Sequence, residues 1–330
     1  MRKVHILVSA TGLAMTAGAA MAADSTFDNH LTSTEMVSPA QIYQTQDLKT
    51  DFKVGFESAE GTTKPDGASS TSDTDKTNDI FAAAIYNVRS IGLRAGVALD
   101  FGSSNTENQV VTSAGKDTIK VDSKDMMVTP QAAMPFGPVV AGVAIDLHQV
   151  TATPDGADQQ KGNYNTFRPG VLFETKDFEA GVTYATQTNT SETDANKLGF
   201  QVPAKTTIHG RYALDRELAV GAILADWHYK GLDEDTMKDQ TRVTGTVEYG
   251  FGSIKTEGDI GYRSAFYKNK DSLAQDNFAT EEVGAAADYE ITKMSAVGGA
   301  VGYEFGSDSA KGVKYSANTL NIAVRGNMKF

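Results

Sequence analysis

The last eleven residues, 320–330, alternate without interruption. Leu320, Ile322, Val324, Gly326, Met328 and Phe330 share one face, and Asn321, Ala323, Arg325, Asn327 and Lys329 the other. A repeat of two over this length specifies a β-strand with one dry and one wet side. Such a strand carries a free hydrogen-bonding edge, and pairing the last strand with the first removes that edge altogether.

This segment resembles the C-terminal insertion signal of bacterial outer-membrane β-barrels, a terminal aromatic preceded by apolar residues at alternate positions. Here Ile322, Val324, Met328 and Phe330 carry it. The resemblance implies that the barrel assembly machinery reads these residues. The other end of the chain agrees. Arg2 and Lys3 precede an uncharged run of small and apolar residues from Ile6 to Ala20, and Ala20-Met21-Ala22 has the form of an Ala-x-Ala cleavage site. This is the pattern of a secretory signal peptide, with cleavage expected after Ala22.

The chain has no cysteine, which excludes a disulfide framework and a thiolate metal site. The 330 residues hold 30 basic and 42 acidic side chains; removing Arg2 and Lys3 leaves 28 − 42 = −14 for the mature chain. That balance argues against nucleic acid or anionic lipid as a partner. Mean hydropathy is negative, as a barrel also gives, because only alternate residues face lipid.

Residues 23–46 do not alternate, and Ser38-Pro39-Ala40-Gln41 reads as a capped helix start in a short lead-in that is periplasmic or tucked into the lumen. From residue 47 a hairpin rhythm begins. Strands are expected near 47–57, 79–88, 91–101, 124–134, 139–150, 164–174, 177–187, 198–212, 217–229, 240–250, 253–267, 281–290, 294–305 and 315–330. That makes about fourteen, within a range of twelve to sixteen. Connectors alternate between short turns (Arg89-Ser90, Phe136-Gly137-Pro138, Phe251-Gly252) and longer polar loops, such as 58–78 and 102–123. Short periplasmic turns and longer outer loops have this asymmetry, and a secreted β-sandwich has no reason for it. The expected organisation is therefore a signal peptide (1–22), a lead-in (23–46) and an all-β, transmembrane, antiparallel up-and-down barrel (47–330). Pro130, Pro169 and Pro203 fall inside expected strands, where each deletes a ladder donor and predicts a bulge or kink.

Alternation turns the polar face toward the lumen. The inward charges expected to line a pore are Arg94, Asp100, Arg168, Lys205, Arg211, Arg242, Glu257, Asp259 and Arg263. Many remaining inward positions are Gly or Ala, which predicts unfilled volume between charges that hold water. A barrel of this size should then leave a modest hydrated pore. The pattern as a whole resembles porins and related small-solute channels, implying passive diffusion of small hydrophilic solutes or ions with a weak cation preference. Lipopolysaccharide and outer-membrane lipid would surround the barrel, as a monomer or a homo-oligomer. The alternative reading follows from the three prolines: a weakened wall opening sideways to lipid, as in fatty-acid transport barrels, for fatty acids or other hydrophobic compounds. No catalytic or metal-binding motif joins His30, His148, His209 or His228 to partners at ligand spacing, so neither an enzyme nor a cofactor or metal is expected.

Overall fold

The computed structural model describes residues 39–40, 50–65, 73–88, 90–112, 115–156, 158–190, 200–228, 239–268, 275–292, 295–310 and 313–329. The expected cleavage site and Phe330 lie outside these. Among these described residues sixteen strands form: β1 (Thr50–Pro65), β2 (Asp73–Val88), β3 (Leu93–Thr112), β4 (Gly115–Phe136), β5 (Val139–Pro154), β6 (Gln160–Glu174), β7 (Phe178–Ala185), β8 (Thr188–Thr190), β9 (Phe200–Val202), β10 (Ala204–Ala213), β11 (Leu218–His228), β12 (Gln240–Phe251), β13 (Ile254–Lys268), β14 (Gln275–Thr292), β15 (Ser295–Ala310) and β16 (Val313–Lys329). Fourteen of them close an antiparallel barrel in which each pairs with its neighbour in sequence, β7 with β10, and β1 with β16; β8 and β9 form a separate two-stranded sheet.

The terminal repeat does what its period demands. β16 pairs with β1 along Phe52↔Met328, Val54↔Gly326 and Phe56↔Val324. Ile322, Val324 and Met328 face outward and are exposed, beside Val54 and Phe56 of β1. Exposed apolar residues continue around the wall as a belt, including Ile80, Phe101, Phe167, Val182, Ile208, Val243, Ile260 and Val301. No water-soluble fold leaves such a belt uncovered; acyl chains cover it here.

The belt has a sharp outer limit. Phe56, Ile80 and Phe101 are neighbours across β1, β2 and β3. The next outward row is Ser58, Asn78 and Ser103, in which the Ser58 hydroxyl donates to Asn78 Oδ1 (2.9 Å) and the Ser103 hydroxyl to the Asn78 carbonyl (3.3 Å). The expected loops 58–78 and 102–123 are nevertheless largely strand, since β1 runs to Pro65, β3 to Thr112, and β4 starts at Gly115. Above the belt the outer face meets water, so the apolar alternation fades while the ladder continues in the register set below. Cross-strand pairs decorate this extension: Lys76–Glu60 (3.3 Å), Lys120–Glu107 (2.5 Å) and Asn105–Asp122 (2.6 Å). Loss of alternation marks the bilayer surface, not the end of the strand.

The opposite rim is made of short turns. Gly137 takes φ +66° in the two-residue β4–β5 turn, a left-handed conformation that an L side chain resists. In the β10–β11 turn the Asp215 carboxylate accepts the backbone N–H groups of Glu217 (2.7 Å) and Leu218 (2.8 Å). These two bonds hold its pKa below the usual carboxylate range.

All three prolines interrupt pairing as expected. Between Val128↔Leu147 and Gln131↔Ala144 the β4–β5 ladder skips Pro130. Pro203 divides the expected strand 198–212 into β9 and β10. The β6–β7 ladder ends at Gly170↔Thr183, next to Pro169. The wall is also uneven in height, with β3 and β4 of 20 and 22 residues and β7 of only 8.

Candidate functional site

The lumen is the candidate site, and its contents change with depth. At the short-turn end, Pro39 and Ala40 sit inside the barrel, fully buried. Gly142 of β5 makes room for them: a Cβ there would collide with the Ala40 nitrogen and the Pro39 carbonyl carbon. Ala40 joins Ile85, Ala133, Val140 and Leu172 in an apolar cluster that fills this end. The sequence placed the capped Pro39–Ala40 turn in the lead-in; a glycine opposite it was the unread part of the signal.

Higher up, arginines and carboxylates span the inner wall. Arg168 donates through Nε (2.6 Å) and Nη2 (2.8 Å) to Asp146, which also accepts the Thr129 hydroxyl (2.9 Å). Arg242 of β12 reaches Glu282 of β14 (Nε–Oε1 2.8 Å), where the Thr244 hydroxyl also donates (2.9 Å). Arg325 of β16 reaches Asp288 of β14 through Nε (2.8 Å) and Nη2 (2.5 Å). Arg211 of β10 reaches Glu248 of β12 (3.0 Å). The last three pairs each skip a strand. They can do so because the intervening strand offers a glycine: Gly261 lies under Glu282, Gly298 under Asp288, and Gly221 is the register partner of Arg211. A Cβ at Gly261 or Gly298 would collide with the carboxylate above it. In the same way Gly284 lies under Asp259, and Gly181 under the His209 ring, which is 3.1 Å from Glu179.

All nine sequence-chosen charges face inward. Arg94, Arg168, Arg242 and Arg263 are buried, while Asp100, Lys205, Arg211, Glu257 and Asp259 are half-buried. The structure gathers some of them. Arg242 and Arg263 are register partners, and Lys205 and Arg263 both approach the Trp227 ring (5.1 and 5.0 Å to its centroid). Trp227 therefore belongs to the inner face rather than to an interfacial girdle. Arg263 also donates to the Gln240 amide oxygen (2.5 Å). The sequence singles out Arg168, Arg211 and Arg242 without their partners Asp146, Glu248 and Glu282, and singles out neither Arg325 nor Asp288, because alternation gives a side chain's face but not its partner on another strand.

The upper lumen carries an apolar and aromatic shelf beside the charges. Val121, Met127, Val150 and Ala152 are buried on the inner faces of β4 and β5. His148 stacks on Tyr164 (4.1 Å, 8°), and Phe200 of the β8–β9 sheet packs on Tyr164 (4.8 Å). The His148 Nδ1 atom lies 2.8 Å from Asp125. His209 points inward and His228 belongs to the outward row of β11, so the two do not share a site. Among the described residues no group of His, Asp and Glu is arranged to hold a metal.

Beside this region the wall is incomplete. Pro169 has no N–H for the β7 strand, and contact with β6 resumes where the Thr186 N–H donates to the Phe167 carbonyl (3.0 Å), the Phe167 N–H to the Thr186 hydroxyl (2.9 Å) and the Thr188 hydroxyl to the Asn165 carbonyl (2.6 Å). The positions between are Arg168 and Pro169 on β6, and Tyr184 and Ala185 on β7.

No protein-family model and no curated protein sequence matches the chain. Solved structures do share its fold. The Pseudomonas putida toluene transporter TodX superposes with a TM-score of 0.68 at 11% identity, covering 93% of this chain and 98% of its own. The Ralstonia pickettii toluene transporter TbuX gives 0.64 at 12% identity over 89% and 92%. A Pseudomonas aeruginosa FadL homologue gives 0.62 at 7% identity over 89% and 93%. The chain is thus an outer-membrane β-barrel with the fold of these transporters.

The expectation of a porin-like hydrated pore for hydrophilic solutes or ions, with its weak cation preference, is overturned. Two of the barrels it resembles are named for toluene, and the third as a FadL homologue. The lining tells the same story: inward residues from every level are buried, among them Leu172 and Asn321 at 0% and Arg325 at 4% exposure. Several of the small inward residues, Gly181, Gly261, Gly284 and Gly298, are seats on which neighbouring side chains lie.

Proposed function

We propose that the chain admits hydrophobic compounds from outside the cell and releases them sideways into the outer membrane, between β6 and β7. One observation carries this reading. The wall ladder is broken at Pro169 above a lumen whose opposite end is filled by Pro39, Ala40 and their apolar cluster. An apolar solute gains free energy by leaving water for acyl chains, at about 25 cal/mol per Å2 of apolar surface. A side exit therefore suits it better than a passage through paired charges. The likeness to the toluene transporters and the FadL homologue supports the same cargo class. The shelf of Val121, Met127, Val150 and Tyr164 gives such a compound a surface on entry.

The protein resides in the outer membrane with its signal peptide removed after Ala22, and N-terminal sequencing of the mature protein should begin at Ala23. The barrel assembly machinery reads Ile322, Val324, Met328 and Phe330, and the barrel transports without chemical conversion of its cargo.

Pro169→Val tests the exit. Valine restores an N–H aimed at β7, and so closes the ladder. Cells expressing the wild type should take up labelled toluene faster than vector controls, and the variant should fall back toward the control while still migrating as a folded, heat-modifiable barrel. Wild-type uptake no faster than the control, or a steady ion conductance in planar bilayers, would refute the reading.

A further inference from the structure

The inner lip of the wall break holds a polar atom with no visible purpose. Thr183, on β7, closes the last β6–β7 pair with Gly170 and faces inward between them and Thr207 of β10. It is 95% buried (5% exposed), and its hydroxyl has no hydrogen-bond partner among the described residues. Its neighbours on the chain, Val182 and Tyr184, face outward and are exposed. Thr183 is therefore the last inward side chain before the break, one inward position below the Arg168–Asp146 pair. That pair is internally satisfied by its own bidentate contact and the Thr129 hydroxyl. A second orphaned atom, Gln131 Oε1, lies in the row of Arg168 on the far side of Ala144.

Leaving a buried hydroxyl unpaired is unfavourable, and valine would fill the same space with no such penalty. A hydroxyl at the lip of an apolar exit acquires a use only when something polar arrives beside it. The hydroxyl can donate to an oxygen or accept from an O–H. We propose that Thr183 is a head-group subsite, and that the cargo is apolar in body with one hydrogen-bonding end, a phenol rather than a bare hydrocarbon. This rests on the transport reading above and sharpens its substrate class. The polar end holds to Thr183 while the apolar body lies toward the opening, so the molecule is oriented before it enters lipid.

The probe pair is 4-methylphenol and toluene, nearly equal in size and differing by one hydroxyl. Full-length protein in lipid nanodiscs, with empty nanodiscs as the blank, is titrated with each. One neutral hydrogen bond to a buried hydroxyl corresponds to about a tenfold difference in affinity. The wild type should bind 4-methylphenol about tenfold more tightly than toluene on that basis. Thr183→Val should bring the two to within about twofold without weakening toluene, and Thr183→Ser should keep the preference, since it retains the hydroxyl. Equal wild-type affinities, or a preference that survives in Thr183→Val, would overturn the subsite and leave the transport reading standing. Binding of neither compound would bring down both.

Discussion

Gly298→Ala is a small substitution for which two arguments give opposite signs. By backbone entropy alone, replacing a strand glycine by alanine stabilises by roughly 0.5–1 kcal/mol. The structure requires the reverse. Asp288 lies over Gly298 to reach Arg325 on the next strand but one, and a Cβ at position 298 would occupy the space of its carboxylate. The carboxylate must leave. Arg325 is 4% exposed and would lose both bonds, at 2.8 and 2.5 Å. Two hydrogen bonds to charged groups at about 1.5–3 kcal/mol each give about 3–6 kcal/mol. Breaking a buried ion pair by removing one partner independently gives about 3–5 kcal/mol. The net expectation is a loss of about 3 kcal/mol. Thermal unfolding in detergent, followed by the heat-modifiable shift on gels, measures it. Gly258→Ala is the control, since Gly258 is exposed on the outer face of the strand that carries Gly261, with nothing closer than 4.0 Å. The mechanism is isolated by a cycle with Asp288→Ala. Without the carboxylate the added methyl still lies 2.8 Å from the Ala287 carbonyl oxygen, so part of the cost remains and the coupling falls below about 3 kcal/mol. Gly298→Ala as stable as Gly258→Ala would refute the reasoning, as would a full cost persisting beside Asp288→Ala.

Two further outcomes follow from other parts of the barrel. The Asp215 carboxylate is held below its ordinary pKa by the N–H groups of Glu217 and Leu218, so its stabilising contribution is present above the unfolded carboxylate pKa and lost as pH falls through the folded value. Urea midpoints of wild type and Asp215→Ala should therefore differ at neutral pH and converge in acid, and a constant difference across that range would show that the turn does not depend on the charge. At the short-turn end, Gly142→Ala places a methyl group against the Pro39–Ala40 backbone. It should dislodge that segment and raise ion leakage in planar bilayers well above the wild-type level, whereas unchanged leakage would mean that these two residues do not seal the lumen.

Much of this architecture was legible because lipid imposes a period on every strand. The closing strand, the fourteen-fold count and the inward placement of all nine charges rest on alternation, which survives wherever one face must be apolar. The same rule explains the failures. Residues 58–65 and 102–112 lie beyond the belt, where the outer face meets water and no apolar period is enforced, so extended strands looked like loops. Pro169 was visible as a missing donor, but the sequence could not show that β6 and β7 rejoin at Phe167 and Thr186, since that depends on register. Thr183 carried no signal at all. An inward threonine on a β-strand is ordinary, and only its burial without a partner sets it apart.

The lumen was misjudged for a reason that bears on how a polar inner face is weighed. A charged row conducts hydrophilic solutes only if its charges stay hydrated. Arg242 is bound to a carboxylate that also takes a hydroxyl, and Arg325 to a carboxylate seated over Gly298. Each such cluster is close to neutral and buried, so it offers a passing ion nothing in place of the water it would have to shed. The glycines that suggested open volume make this possible by letting a side chain lie flat across the intervening strand. A polar inner face is then compatible with an apolar cargo, provided the cargo need not travel the full length of the lumen. Pro169 supplies that condition, because it interrupts the ladder between β6 and β7 in the zone where the paired charges begin.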